Sequence, residues 1–181
     1  MRHGDYRDIT ETGFDAVSSI GRLEHIGVRN YSSYFGFLQS RLRPGGLLLN
    51  HCITRPENRS EPSPRGFIDR YIFPDGELTG SGRIISEAKR SAGLGTRGAA
   101  RGEPASPLRA DAVRLVRQPR RALGRRVAEV GLPTAKVWGL YMEGSRLGCE
   151  SNGIQLHQVL MTKPDERSNA GELPLRPWWT P

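Results

Sequence analysis

Apolar and polar positions in the first half of the chain predict alternating strands and helices. Residues 14–20 (FDAVSSI) form a short apolar run that ends at a glycine, which is typical of a buried parallel strand. Residues 30–42 place aromatic and leucine side chains at helical spacing, and the Pro-Gly-Gly at 44–46 ends that helix. Residues 47–53 (LLLNHCI) form a second apolar strand. Strand, helix, turn and strand make a βαβ unit, so the pattern predicts a parallel sheet.

The second half of the chain is patterned less regularly. Residues 55–70 form a polar, Pro-rich loop, and the spacing predicts helices over 81–92 and 134–147. Residues 154–161 alternate like a closing strand. Residues 93–126 consist mostly of Ala, Arg, Gly and Pro, with few large apolar residues. We therefore expect that stretch to be poorly ordered or at best loosely helical, and to supply no buried strand.

Charge separates the same middle segment from the rest of the chain. The 181 residues carry a formal net charge of +8. Residues 88–128 hold eleven Lys and Arg against two acids, a net charge of +9, which leaves −1 for all other residues. We therefore divide the chain into a βαβ core (1–87), a basic segment (88–128), and a closing helix and strand with a Pro and Trp tail (129–181).

Several classes of protein are disfavoured by what the sequence lacks. No apolar run approaches the roughly 20 residues of a membrane span, and residues 1–13 contain no apolar signal region. Cys52 and Cys149 do not have the spacing of a metal site or a disulfide framework. We therefore expect a cytoplasmic protein without a bound metal.

Six stretches of the chain carry a resemblance to a known family. They read GDYRDI (4–9), FDAVSSIGRLEHIG (14–27), YFGFLQSRLRPGGLLLNHCIT (34–54), FIDRYIFPDGEL (67–78), GLPTAKVWGLYMEGSRLG (131–148) and IQLHQV (154–159). Together they resemble the C-terminal part of the cyclopropane-fatty-acyl-phospholipid synthases, which include the mycolic acid cyclopropane synthases. The resemblance implies an α/β class I methyltransferase fold with a Rossmann-like sheet, here incomplete because its N-terminal strands are absent.

The same resemblance implies an activity and its ligands. Members of the family transfer a methylene group from S-adenosylmethionine to a cis double bond of a lipid acyl chain, with a bound bicarbonate as base. The implied cofactors are S-adenosylmethionine and bicarbonate, and the implied partner is an acyl lipid at a membrane surface. A peripheral location at the inner membrane face would follow. The sequence does not separate cyclopropanation from the related methoxylation or simple methylation.

Four positions match the catalytic residues of the family. Glu24, in the EH pair, matches the glutamate that holds bicarbonate, and His51 matches the bicarbonate-binding histidine. Ile53 matches the position whose backbone amide points at the anion. Ser145 stands where many members have a cysteine beside the anion. From the residues alone, a solvated residue at a strand end is the commoner interpretation of Glu24, and a core histidine is the commoner interpretation of His51.

Four further positions match the cofactor pocket of the family. Tyr6 and Arg7 match positions that flank the adenosine. Ile20 and Gly21, at the end of the first strand, belong to the same pocket. Open α/β sheets place their ligands at such carboxyl ends of strands.

The chain departs from the family pattern in three ways: Ser145 replaces the cysteine, the glycine-rich turn with its acidic ribose-binding residue is absent, and so is the tyrosine of an HYA motif. We expect the chain to be inactive or impaired unless a separate N-terminal polypeptide completes it. Residues 97–126, read in a neighbouring frame with freely chosen codons, permit a family-like sequence that includes HYA. Our hypothesis is a frameshift that enters near residues 90–97 and is corrected near residue 126.

Two other readings of the chain stay open. It could be a non-functional remnant, or a non-specific binder of anions or nucleic acid through residues 88–128, since phosphate contacts require only cations. That segment has no aromatic residue on which a base could stack and no recognisable binding motif, so we expect no specific nucleic-acid partner.

Overall fold

One mixed sheet organises the chain. The computed structural model describes residues 3–58, 66–96, 101–103 and 106–167, with the backbone alone at 101–103 and 106–123. The strands are β1 (Phe14–Ile20), β2 (Leu42–Thr54), β3 (Gly95–Thr96), β4 (Arg101–Glu103) and β5 (Gln155–Thr162). β1 pairs with β2 in parallel, and β5 pairs antiparallel with the other edge of β2. β3 and β4 both run antiparallel along the outer edge of β5.

The sheet confirms the α/β fold and refines its topology. The predicted parallel pair is present as β1 and β2, but the closing strand β5 is antiparallel, so the sheet is mixed. Strand direction depends on how the chain returns to the sheet, which an alternating pattern does not encode. Residues 93–126, which we expected to supply no buried strand, contain the short edge strands β3 and β4. Backbone N–H and C=O groups can form such pairs whatever side chains the residues carry.

The Pro-Gly-Gly turn lies inside β2, although we predicted that the second strand would begin after it. A Cβ atom on Gly46 would lie 2.8 Å from the carbonyl oxygen of Arg43 and 3.0 Å from that of Phe14. Gly45 has a φ of 74°, which favours glycine, and its N–H donates to the Lys163 carbonyl at 2.8 Å. The turn therefore forms an irregularity where the first residues of β2 pass close to β1.

The helices are α1 (Tyr31–Arg41), α2 (Phe67–Tyr71), α3 (Ser81–Ala92) and α4 (Ser106–Glu150). Predictions of helices over 30–42 and 81–92 are confirmed. α1 buries Tyr31, Tyr34, Phe35 and Leu38, which recur every three or four residues on one helix face. α3 likewise buries Ile84, Ala88 and Ala92.

The core lies between these two helices and one face of the sheet. Leu48 and Cys52 of β2 and Val159 and Met161 of β5 are buried in the same cluster as the apolar faces of α1 and α3. Residues alternate in burial along β2, because successive side chains point to opposite sides of a strand. The other face of the sheet is only partly covered, and we call it the open face. It consists of Ala16, Ser18 and Ile20 of β1 and Leu47, Leu49, His51 and Ile53 of β2.

The helix α4 is broken at Gly131, where φ is 77° and ψ is 159°. The part after the break contains the helix predicted over 134–147. Its Tyr141 ring packs edge-on against Phe73 at 5.7 Å, which fixes this part of α4 to the loop after α2. Within the described residues, no helix combines the length and apolar character needed to cross a bilayer.

Candidate active site

The carboxyl ends of β1 and β2 meet at one edge of the sheet. Ile20 pairs with His51 across the two strands. The N–H of Gly21 donates to the His51 carbonyl at 2.9 Å, which joins the two strand ends. A 3₁₀ turn, Leu23–His25, follows β1 directly. Glu24, His51 and Ile53 therefore lie at the edge where α/β sheets hold ligands.

Glu24 presents a buried carboxylate at this edge. Glu24 is only 8% exposed, and its Oε1 accepts a hydrogen bond from the Ile53 N–H at 2.7 Å. Its Oε2 is buried and has no hydrogen-bond partner among the described residues. Since nearly all buried polar atoms are paired, this oxygen marks a place where a donor is needed.

A second glutamate holds the turn that carries Glu24. The Glu77 N–H donates to the Glu24 carbonyl at 2.8 Å, and Glu77 Oε2 accepts from the Val28 N–H at 2.7 Å. Leu23 is almost completely buried and anchors the start of the same turn. The sequence analysis did not single out Glu77. Nothing in its local pattern distinguishes it from a solvated loop acid.

The ring of His51 is oriented by Gln158 on the neighbouring strand. Gln158 Nε2 lies 3.2 Å from His51 Nδ1, and the two residues pair across β2 and β5. An amide nitrogen only donates, so Nδ1 accepts, and the neutral ring carries its proton on Nε2. The Nε2–H is then available as a donor. Gln158 lies inside the IQLHQV stretch but received no role from the sequence.

The residues predicted to hold the cofactor fall into two groups. Tyr6 and Ile20 line one groove of about 350 Å³, together with Arg22, whose guanidinium lies 5.0 Å from the Tyr6 ring centroid. Arg7 does not line that groove, and its side chain bonds to both carboxylate oxygens of Asp5, at 3.0 and 2.6 Å. This pairing holds the pKa of Asp5 well below its usual range. Gly21 takes part in the strand-end bond described above.

Ser145 lies on α4 and is half-buried. Among the described residues, no hydrogen bond connects it to Glu24 or His51. Its role beside an anion therefore stays a prediction.

Both cysteines are buried and free. Burial raises the pKa of the Cys52 thiol to about 12, and it also raises the pKa of Cys149. Such thiols are protonated at neutral pH and are poor nucleophiles. The described residues contain no group of His, Cys, Asp and Glu that could hold a metal. Side chains of most of the basic segment lie outside the described residues, so its anion binding stays a prediction.

Comparison with known proteins assigns the chain to a family. The sequence profile described as "Mycolic acid cyclopropane synthetase" matches residues 1–159. The chain belongs to this family. It is 60% identical to the "Probable fatty acid methyltransferase Rv3720" of Mycobacterium tuberculosis, over all of this chain and 42% of that protein. It is 38% identical to the "Probable fatty acid methyltransferase" of Pseudomonas putida, over 88% of this chain and 41% of that protein.

Solved structures agree on the fold. The mycolic acid cyclopropane synthase CmaA1, crystallised with SAH and CTAB, superimposes with a TM-score of 0.73 at 21% identity. The match covers 86% of this chain and 57% of that one. The resemblance read from the sequence and the methyltransferase-type α/β fold are thereby confirmed. The chain spans less than half the length of the two relatives it matches.

Proposed function

We propose that this chain forms the carboxyl-terminal part of an S-adenosylmethionine-dependent enzyme that transfers a methylene group to a cis double bond of a lipid acyl chain. The observation that carries the proposal is the buried carboxylate of Glu24: one oxygen accepts from the Ile53 N–H, and the other has no partner among the described residues. Membership of the cyclopropane synthetase family supports the reaction class. The names of both relatives, fatty acid methyltransferases, support an acyl-chain substrate.

The donor set at the strand ends fits bicarbonate. Bicarbonate has one O–H that can donate to Glu24 Oε2, the buried oxygen that has no partner in the described part of the chain. His51 Nε2–H can donate to one of its negatively charged oxygens, because Gln158 keeps Nδ1 as the acceptor. Bicarbonate held there would supply a base for the proton released by ring closure. The Ile53 amide acts on the anion through Glu24, since its N–H already donates to Oε1.

The other end of the site fits an adenosine. Tyr6 and Ile20 line the groove at the end of β1, and its volume of about 350 Å³ lies within the usual range for ligand pockets. S-adenosylmethionine supplies an electron-poor methyl group when it is bound. Tyr6, Ile20 and Gly21 would hold its adenosine, and Arg7 flanks the site. The aromatic contacts of Tyr6 with Tyr34 at 5.4 Å and Phe37 at 5.3 Å fix the wall of the groove.

The setting of the reaction is also part of the proposal. Because the substrate is an acyl lipid, the enzyme works on the surface of a membrane as a peripheral protein on the cytoplasmic side. We further propose that this chain alone is impaired, since its match to both relatives spans less than half of their length.

Cofactor binding is the first test. Calorimetry of the purified chain with S-adenosylmethionine and with S-adenosylhomocysteine, beside full-length Rv3720 as control, is expected to show weaker binding than the control. Methyl-labelled S-adenosylmethionine and vesicles of a monounsaturated phospholipid then report transfer, and mass spectrometry separates a cyclopropane from a methyl-branched product. No binding of S-adenosylmethionine by this chain, beside binding by the full-length control, would mean that Glu24 and His51 are relics.

A further inference from the structure

The turn that carries Glu24 is weakly constrained by its own residues. It is a single 3₁₀ turn, Leu23–His25, and in the described part of the chain its N-cap residue, Arg22, makes no side-chain capping bond. Gly27, with a φ of 76°, joins it to a second 3₁₀ turn, Val28–Asn30. Glycine restricts the backbone less than any other residue. The position of Glu24 therefore depends on contacts that come from outside these two turns.

Glu77 connects the two turns. Its N–H donates to the Glu24 carbonyl at 2.8 Å, and its Oε2 accepts a hydrogen bond from the Val28 N–H at 2.7 Å. A Cβ atom on Gly27 would lie 3.6 Å from the same oxygen, so the carboxylate of Glu77 lies directly beside the link between the turns. The main chain of Glu77 thus holds the first turn, and its side chain holds the second.

The loop that contains Glu77 is itself attached to the end of β2. The N–H of Arg55, the residue after β2, donates to the Thr79 carbonyl at 3.0 Å. Thr79 is buried, so this attachment is shielded from water. The carboxylate of Glu24 is meanwhile held by the Ile53 N–H of β2. Glu24 is therefore held at its main chain, through Glu77, and at its side chain by groups that belong or attach to the same strand.

Hydrogen bonds to a charged carboxylate are roughly twice as strong as those between neutral groups, and without the bond to Val28 the two turns can pivot about Gly27. A group that binds a reacting anion has to stay within about 0.5 Å of its working position. We propose that Glu77 is a positioning residue for the bicarbonate site: it keeps the turn of Glu24 in place and makes no contact with the anion. The inference rests on the proposed function, which places bicarbonate at Glu24.

Three variants of the full chain separate positioning from a general support of the fold. Glu77→Ala removes the acceptor of the Val28 N–H, whereas Glu77→Gln keeps an acceptor and removes the charge. Asn30→Ala is the matched control. The Asn30 Nδ2 donates to the Ile26 carbonyl at 2.7 Å, so this variant removes a side-chain bond from the same pair of turns and leaves the contacts of Glu77 intact.

Hydrogen exchange of the Ile53 N–H, followed by NMR, reports the position of Glu24, because this N–H donates to Glu24 Oε1. Its rate is taken relative to that of the Val159 N–H in the buried core, so that a general loss of stability cancels. Glu77→Ala should raise this relative rate by about tenfold or more, through local opening at Glu24. Glu77→Gln and Asn30→Ala should change it by less than about twofold.

Bicarbonate affinity is the second measurement. The dissociation constant comes from the shift of the urea unfolding midpoint with bicarbonate concentration, with nitrate at the same ionic strength as control. Glu77→Ala should weaken bicarbonate binding by about tenfold, the equivalent of one well-placed hydrogen bond. Glu77→Gln should restore the affinity of the parent to within about threefold, and Asn30→Ala should leave it unchanged even where it lowers stability.

Four results would overturn the proposal. They are an Ile53 exchange rate or a dissociation constant that Glu77→Ala leaves unchanged, equal effects of Glu77→Ala and Asn30→Ala, and a Glu77→Gln variant that behaves like Glu77→Ala. If Glu77→Ala does not fold, Glu77→Asp, whose carboxylate ends one methylene short, takes its place with the same expectations. A parent protein that bicarbonate stabilises no more than nitrate contradicts the proposed function. An Ile53 exchange rate that Glu77→Ala alone raises then still supports the positioning of Glu24 by Glu77.

Discussion

Glu24 is expected to lower the stability of the fold in the absence of its ligand. Its Oε1 accepts a hydrogen bond from the Ile53 N–H at 2.7 Å, while its Oε2 is buried and has no partner among the residues that the structure describes. Glu24→Gln keeps an acceptor for the Ile53 N–H and removes the charge. A charged hydrogen bond is worth about 1 kcal/mol more than a neutral one. An unsatisfied buried group costs about 1–3 kcal/mol and more when it is charged, so the neutral amide nitrogen that replaces Oε2 costs less than the carboxylate oxygen, although it also has no partner there. We therefore expect Glu24→Gln to raise the free energy of unfolding by about 0–2 kcal/mol.

Glu24→Ala provides the contrast. It removes the acceptor and leaves the Ile53 N–H without its partner, so the free energy of unfolding should fall below that of Glu24→Gln by about 1–3 kcal/mol. Urea unfolding followed by circular dichroism measures all three proteins. Glu24→Gln is expected to be at least as stable as the parent, and Glu24→Ala less stable than Glu24→Gln.

Bicarbonate, but not nitrate, should raise the free energy of unfolding of the parent protein. Its O–H can donate to Oε2, so at a concentration about 100 times its dissociation constant it should add about 2.7 kcal/mol to the free energy of unfolding. Nitrate is a planar monoanion without a proton to donate, and should add nothing at the same pH and ionic strength. Glu24→Gln should lose the difference between the two anions, since its amide N–H can donate to an oxygen of either and cannot accept the O–H of bicarbonate.

Two outcomes would refute this reasoning about Glu24. Equal stabilisation by nitrate and bicarbonate would show a general effect of anions rather than a site built around Oε2. A Glu24→Gln variant less stable than Glu24→Ala would show that the carboxylate supports the fold through its charge.

Three further predictions concern the ring of His51, the core and the dependence of stability on pH. Gln158→Leu should redistribute the proton of the His51 ring between its two nitrogens, whereas an unchanged ¹⁵N NMR spectrum would mean that Gln158 does not orient it. Phe35 is fully buried, so Phe35→Ala should lower the free energy of unfolding by about 3–5 kcal/mol. Ser33→Ala, at an exposed position of the same helix, should change it by less than about 0.5 kcal/mol. Similar losses in the two variants would place Phe35 outside the core. Burial lowers the pKa of His157, so the unfolded state binds more protons and stability should fall as pH drops below about 6.5. Unfolding midpoints of His157→Gln should show a smaller acid loss, and an identical pH profile would contradict this cause.

Local periodicity was enough to predict most of the described elements. Strand β1 and helix α3 have the bounds that the pattern indicates, and β5 differs by one residue at each end. A strand or helix with one buried face repeats its apolar residues at a fixed period, which is visible in the sequence. The topology of the sheet was harder to predict from the sequence. β5 pairs antiparallel with β2 although it is far away in the chain, and no local signal sets that direction.

The candidate site divides in the same way. Glu24, His51 and Ile53 were predicted from the resemblance of short stretches to the family, and each of these stretches is local in sequence. Their partners were not predicted. Glu77 holds the turn of Glu24, and Gln158 reaches His51 from 107 residues away.

The sequence by itself determined the family, the α/β class and the residues that could carry chemistry. Composition, periodicity and short motifs are properties of neighbouring residues, so they can be read without a fold. Only the tertiary structure decided that one oxygen of Glu24 is buried with no partner in the described residues, and that β1 carries exposed apolar side chains. Both properties depend on which distant segments pack together, and burial and hydrogen bonding exist only after that packing has formed.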